Sequence, residues 1–129
     1  MNKKDLPDDV RRFILTSVPS VPYLEAILLL RAEPDTAWPI PAVARRLYLA
    51  EPVAAQLLQA LAGAGIARTE PGAPDVFLYR PASPELAAML DAVAGAYSAN
   101  LVQVTDLIHS RVDRRAQQFA DAFRWRKDA

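Results

Sequence analysis

An aspartate and a histidine three residues apart can share one face of a helix, and Asp106 and His109 have that spacing. Such a pair could act as base and orienting acid if a nucleophile and a cleft completed it. Ser98 and Ser110 are the nearby hydroxyls, but a serine next to the histidine along a helix points elsewhere. A solvated or locally bonded histidine is the simpler reading. His109 is the single histidine and there is no cysteine. That set is poor for a transition metal, and it excludes disulfide and thiolate chemistry. Gly63 and Gly65 form a lone G-x-G; no G-K-[ST] follows, and they end a helical pattern where a phosphate loop would open one. Asp8 and Asp9 read as the charged start of a helix, not as a catalytic dyad. The expectation is no enzyme activity, no catalytic residue, no metal and no cofactor.

The bulk properties bound the remaining options. A chain of 129 residues suits one domain with an extension, and 52% hydrophobic residues can build a core. Only 8% of the chain is aromatic, and Ala and Leu supply much of the apolar content, which favours helices. The opening MNKKDLPDDVRR has no apolar run after its lysines, and the stretch AILLL is far too short for a bilayer. A soluble, cytoplasmic protein with no membrane contact is expected. Fifteen basic residues balance fifteen acidic ones, so any basic face must be local.

The elements follow from periodicity and punctuation. Residues 6–18 read as a helix with Val10, Phe13 and Ile14 on its apolar stripe. Ser20 can cap a second helix over 21–32, which is apolar nearly all round and therefore central. Pro34 and Asp35 end it. Residues 41–49 and 52–62 read as two short helices, with Val43, Ala44 and Leu47 inward on the first and Val53, Leu57, Leu58 and Leu61 inward on the second. Gly63 and Gly65 allow a left-handed stop. Residues 66–70 and 76–80 read as strands, with Pro71 and Gly72 suited to a type II turn between them. Trp38, Tyr48, Phe77 and Tyr79 read as core aromatics. Ser83-Pro84-Glu85 is a strong helix start. From there Leu86, Leu90, Val93, Tyr97, Leu101, Val104 and Ile108 form one continuous stripe, with a possible break near Val112 and Asp113. Ala116, Phe119, Ala120 and Phe123 extend it toward a basic end, RWRKDA, with Trp125 within it.

The order helix, turn, helix, Gly, strand, turn, strand resembles the bacterial winged helix-turn-helix regulators of the MarR and PadR type. The residues that carry the likeness are AVARRLYLAEPVAAQLLQALAGAGIARTEPG and the later FLYRP. They comprise the A-x-x-L helix at Ala44–Leu47, the helix at Val53–Leu61 with its valine and spaced leucines, and the Gly65-Ile66 opening of the wing. The resemblance implies a mainly α fold: a winged helix-turn-helix domain over 6–82 with a small β-hairpin wing, and a long C-terminal helical extension over 83–127. Trp38-Pro39-Ile40 would then add a brief third strand to the wing sheet.

The resemblance also implies DNA as a partner, with the second helix of the pair in the major groove. Its outward positions would be Pro52, Ala55, Gln56 and Gln59. Glutamine can pair with adenine edges, so Gln56 and Gln59 are candidate base contacts, with Arg45, Arg46 and Arg68 as candidate contacts beside them. The helix itself carries no Lys or Arg, and Glu51, Glu70 and Asp75 would repel phosphate. The alternative is a winged helix that has lost DNA contact and serves as a protein–protein interaction module. In either case half of the long apolar stripe could pack on its own domain, and the rest needs a second chain or a folded-back final helix; a homodimer is expected, with Leu90, Tyr97, Leu101, Val104 and Ile108 as candidate interface residues. The tail residues Arg111, Arg114, Arg115, Arg124, Arg126 and Lys127 are interspersed with Asp113, Asp121 and Asp128, as on an ordinary solvated helix face.

Overall fold

A computed structural model describes residues 6–110 and Gln118. Among the described residues the chain is mainly helical, with one small three-stranded antiparallel sheet. In chain order the elements are α1 (Asp8–Ser17), α2 (Val21–Ala32), β1 (Trp38–Pro39), α3 (Ile40–Leu47), α4 (Glu51–Gly63), β2 (Ala67–Glu70), β3 (Ala73–Tyr79) and α5 (Pro84–Ala99). Residues 101–110 are helical again. No single described helix is long and apolar enough to cross a membrane. The expected break near Val112, the stripe from Ala116 to Phe123 and the basic tail lie outside the described residues.

The chain divides into two compact units. One is Pro22–Asp91; the other holds the described parts of Met1–Val21 and Ala92–Ala129. The sequence pattern places a boundary near residue 82 instead. The first turns of α5 stay with the central unit, where Arg31 Nε donates to Asp91 Oδ1 at 2.9 Å. Both side chains are well exposed, so the pair fixes geometry more than it stabilises. In the terminal unit, α1 places acidic Asp8 and Asp9 in its first turn and buries Val10 and Ile14 four residues apart.

The central unit grows from local rules. In α2, Tyr23, Leu24, Ala26, Ile27 and Leu30 are buried, as the nearly all-round apolar pattern requires. β1 follows, and Trp38 and Pro39 pair antiparallel with Phe77 and Val76 of β3. β2 lies on the other side of β3, so the sheet order is β1-β3-β2. A β1 of two residues ends where the proline ring of Pro41 enters α3's first turn, a position at which no amide donor is needed.

Both reversals around α4 use the same hydrogen-bond pattern. At the end of α3, Leu49 N–H reaches Ala44 O at 2.9 Å and Tyr48 N–H reaches Arg45 O at 3.4 Å. At the end of α4, Ile66 N–H reaches Leu61 O at 2.9 Å and Gly65 N–H reaches Ala62 O at 3.1 Å. Each pair is a Schellman motif, which needs one left-handed residue. Gly65 supplies it after α4, with φ of 78°. Tyr48 supplies it after α3, with φ of 56° and ψ of 46°.

The hairpin is tight. Glu70 pairs with Ala73 across Pro71 and Gly72, and Gly72 has φ of 78°, the positive value a type II turn requires. The register then shifts between Thr69 and Glu70, leaving Pro74–Val76 bulged on β3. Downstream, Ser83 Oγ accepts the Leu86 N–H at 3.1 Å, so Ser83 caps α5 as its sequence context indicates. The continuous helix expected from Leu86 to Ile108 is interrupted at Asn100. Its N–H still closes on Ala96 O at 2.8 Å, while its carbonyl accepts Val104 N–H at 3.0 Å and starts the next segment. Hydrophobic spacing runs through this break because two helices in succession can keep the same apolar period.

Two glycines separate backbone need from propensity. A Cβ at Gly65 would lie 3.2 Å from Ala82 Cβ on a positive-φ backbone, whereas one at Gly95, inside α5, would meet nothing within 4 Å. Gly65→Ala is expected to lower stability by about 1–2 kcal/mol. Gly95→Ala is expected to raise it by about 1 kcal/mol. Urea unfolding midpoints check the pair, and the opposite order would contradict the backbone assignment.

Candidate functional site

The candidate surface is built from the end of α3, the turn, the outward face of α4 and the hairpin, all within the central unit. Val43 and Ala44 of α3 and Ala54, Leu58 and Leu61 of α4 are fully or almost fully buried. Burial of these positions at helical spacing fixes which way the remaining positions face. On α4 the exposed residues are Glu51, Pro52, Val53, Gln56, Gln59, Ala60 and Gly63. Gln56 and Gln59 therefore point outward as expected, and so does Pro52, while Ala55 is half-buried.

Arg45, Arg46 and Arg68 are also exposed. Arg46 holds its guanidinium 5.5 Å from the centroid of the Trp38 ring, a cation–π distance that orients the side chain without removing it from solvent. Arg80 is committed differently: its Nη1 donates to Pro34 O and Tyr79 O, each at 2.7 Å. With Arg68, Thr69, Glu70, Pro71 and Leu78 it lines a shallow open depression on the hairpin. Glu51 and Asp75 are exposed and Glu70 is half-buried, so the cations sit among acids.

Two side chains depart from expectation. Tyr48 is 93% exposed, and so is not one of the core aromatics. The left-handed cap turns its side chain away from the helix pair. Val53 is 42% exposed rather than inward, because the buried line of α4 runs through Ala54, Leu58 and Leu61. Tyr48 was legible in principle: it stands where a short turn joins two helices, the position that most often holds glycine. A non-glycine residue there costs about 1 kcal/mol. An exposed phenol recovers none of that through burial. The next helix has no side-chain cap at Ala50 and starts instead on Pro52 and the acidic Glu51 of its first turn.

The other aromatics do form the core beneath the hairpin. Trp38, Phe77 and Tyr79 are buried on one face of the sheet, Trp38 directly across from Phe77 and Tyr79 two residues along the same strand. Trp38 Nε1 and Tyr79 Oη are buried without a hydrogen-bond partner. Burial pushes the Tyr79 phenol above its usual pKa; Asp91 adds to the rise and Arg31 opposes it.

Of the five candidate dimer residues, Leu90, Val104 and Ile108 are buried within the chain itself and offer no free surface. Tyr97 is half-buried and Leu101 is 52% exposed, beside Val102 at 71%. Asp106 and His109 are both exposed, in keeping with a solvated pair. No protein-family model, no curated protein and no solved structure matches this chain.

The buried phenol yields a pH prediction. A folded-state pKa raised above the unfolded value of about 10 favours the neutral form. The stability it contributes is complete below that pH and is lost as pH rises through the folded value. Tyr79→Phe is expected to keep or raise the unfolding midpoint at neutral pH and to flatten its alkaline decline. A large loss at neutral pH would show instead that the hydroxyl is hydrogen-bonded in solution.

Proposed function

We propose that the central unit is a winged-helix module and that the chain acts as a DNA-binding regulator of MarR/PadR type, working as a dimer. The observation that carries this reading is the α3–turn–α4 arrangement, with Gln56 and Gln59 exposed on α4 and Arg45, Arg46 and Arg68 exposed on its flanks. In a helix-turn-helix the second helix enters the major groove. The amide of glutamine can then donate to adenine N7 and accept from its N6 amino group. The arginines supply phosphate contacts, which set affinity but carry no sequence information. The β1-β3-β2 sheet corresponds to a wing with its extra short strand.

A second reading is favoured by one observation. The outward face of α4 has no Lys or Arg, yet it exposes Val53 and, further along, Ala60. Such a face suits close packing against a protein, and the acids Glu51 and Asp75 weaken attraction to phosphate.

Dimer formation draws on the terminal unit. With Leu90, Val104 and Ile108 internal, the exposed large apolar residues among the described residues of the terminal unit are Leu101 and Val102, beside the half-buried Tyr97. Leu101→Asp is expected to shift a dimer to monomer in sedimentation at micromolar concentration. An unaltered chain that is already monomeric would contradict the dimer.

DNA binding is tested by titrating genomic fragments at increasing salt. Binding is expected to fall steeply, and Arg68→Ala should weaken all sequences alike and reduce the log–log salt slope by about one. Gln56→Ala and Gln59→Ala should instead change sequence preference. Glu70→Lys with Asp75→Lys should strengthen non-specific binding if the hairpin approaches DNA. No binding even at low salt would favour the protein-interaction reading.

A further inference from the structure

The two reversals that frame α4 use the same hydrogen bonds but different residues. Gly65 serves one, with φ of 78°; Tyr48 serves the other, with φ of 56°. Glycine meets the backbone demand of this motif without strain, and tyrosine does not. Tyr48 is also the most exposed large apolar side chain among the described residues, at 93%. It neither fills the core nor suits its backbone. Strain kept at an exposed side chain points outward, to something the side chain touches.

The surroundings identify the contact. Arg45 and Arg46 form the last turn of α3, immediately before Tyr48, and both are exposed. The outward face of α4 offers no cation, so anchoring to an anionic backbone falls to the residues flanking that helix. We propose that Tyr48 is a nucleic-acid contact residue: its phenolic O–H donates to a phosphate oxygen, with Arg45 and Arg46 supplying the adjacent positive charge. This rests on the DNA reading above. A tyrosine hydroxyl is a recognised type of phosphate donor, and the exposed Arg45 and Arg46 stand in the helical turn just before it, Arg46 with its guanidinium over the Trp38 ring. The strained turn then trades stability for a donor on the approach side of the helix pair.

Tyr48→Gly and Tyr48→Phe in the full chain test this, with genomic DNA fragments at low salt as the probe. Tyr48→Gly should raise the thermal midpoint by roughly 2–8 °C, since the backbone strain goes and no buried contact is lost. Both variants should bind DNA about tenfold more weakly than the unaltered chain. The salt slope should stay unchanged, because a neutral donor releases no counterion, whereas Arg45→Ala should reduce the slope by about one. Unchanged binding by Tyr48→Gly, with the unaltered chain binding DNA, overturns this proposal alone. A lowered midpoint in Tyr48→Gly also overturns it, by showing that the side chain supports the fold. If the unaltered chain binds no DNA, the regulator reading fails with it. If it instead holds a protein partner that Tyr48→Gly loses, the turn belongs to protein docking and the phosphate contact is wrong.

Discussion

Two helices of eight and thirteen residues can pack on each other only if the chain between them reverses within a few residues. Here the reversal is a left-handed residue at Tyr48, held by Leu49 N–H on Ala44 O. That bond sets where α4 begins, and so which of its positions face the core. With Ala54, Leu58 and Leu61 turned inward, Gln56 and Gln59 must face out. A second reversal at Gly65 returns the chain to β2, and Ala82 N–H closes back on Gly65 O at 2.8 Å. The sheet then buries its own Trp38, Phe77 and Tyr79 on one face. The outward face of the helix pair thus depends on a turn built with a residue poorly suited to it.

Electrostatics makes this surface unusual for the role proposed. A groove-reading helix without Lys or Arg gains little from counterion release by itself. Its positive charge is displaced to Arg45 and Arg46 before it and Arg68 after it, while Arg80 is spent on the carbonyls of Pro34 and Tyr79. Affinity drawn from so few cations would be modest and sensitive to salt. A second copy of the chain would double the contacts, which is the physical reason to pair the DNA reading with a dimer.

Much of this was legible in the residues. Periodicity and punctuation located α2, Ser83 as the cap of α5 and Pro71-Gly72 as the hairpin tip, while the family resemblance supplied the added strand at Trp38-Pro39-Ile40, of which Ile40 instead opens α3. The first three features rest on local chemistry that acts over a few residues. Three others do not. Tyr48 looks like core by residue type, and the signal against that was its place in the short turn between two helices, where the left-handed cap leaves it exposed. Val53 fits an apolar helical pattern, but the buried line of α4 passes beside it. The interruption at Asn100 leaves no trace in the hydrophobic stripe, because the apolar period survives it; the signal was the asparagine itself, whose short polar side chain favours helix ends over helix interiors. The stripe also could not tell an inner contact from an outer one, so Leu90, Val104 and Ile108 read as candidate interface although the chain buries them itself.

The central claim is that the outward face of α3 and α4 meets nucleic acid. Backbone amide shifts of the full chain, followed during titration with duplex DNA, test it most directly. The account predicts saturable changes concentrated at Arg45, Arg46, Tyr48, Gln56 and Gln59, with smaller ones at Arg68. Changes confined to residues 101–110, or none on α4 at saturating DNA, would contradict it.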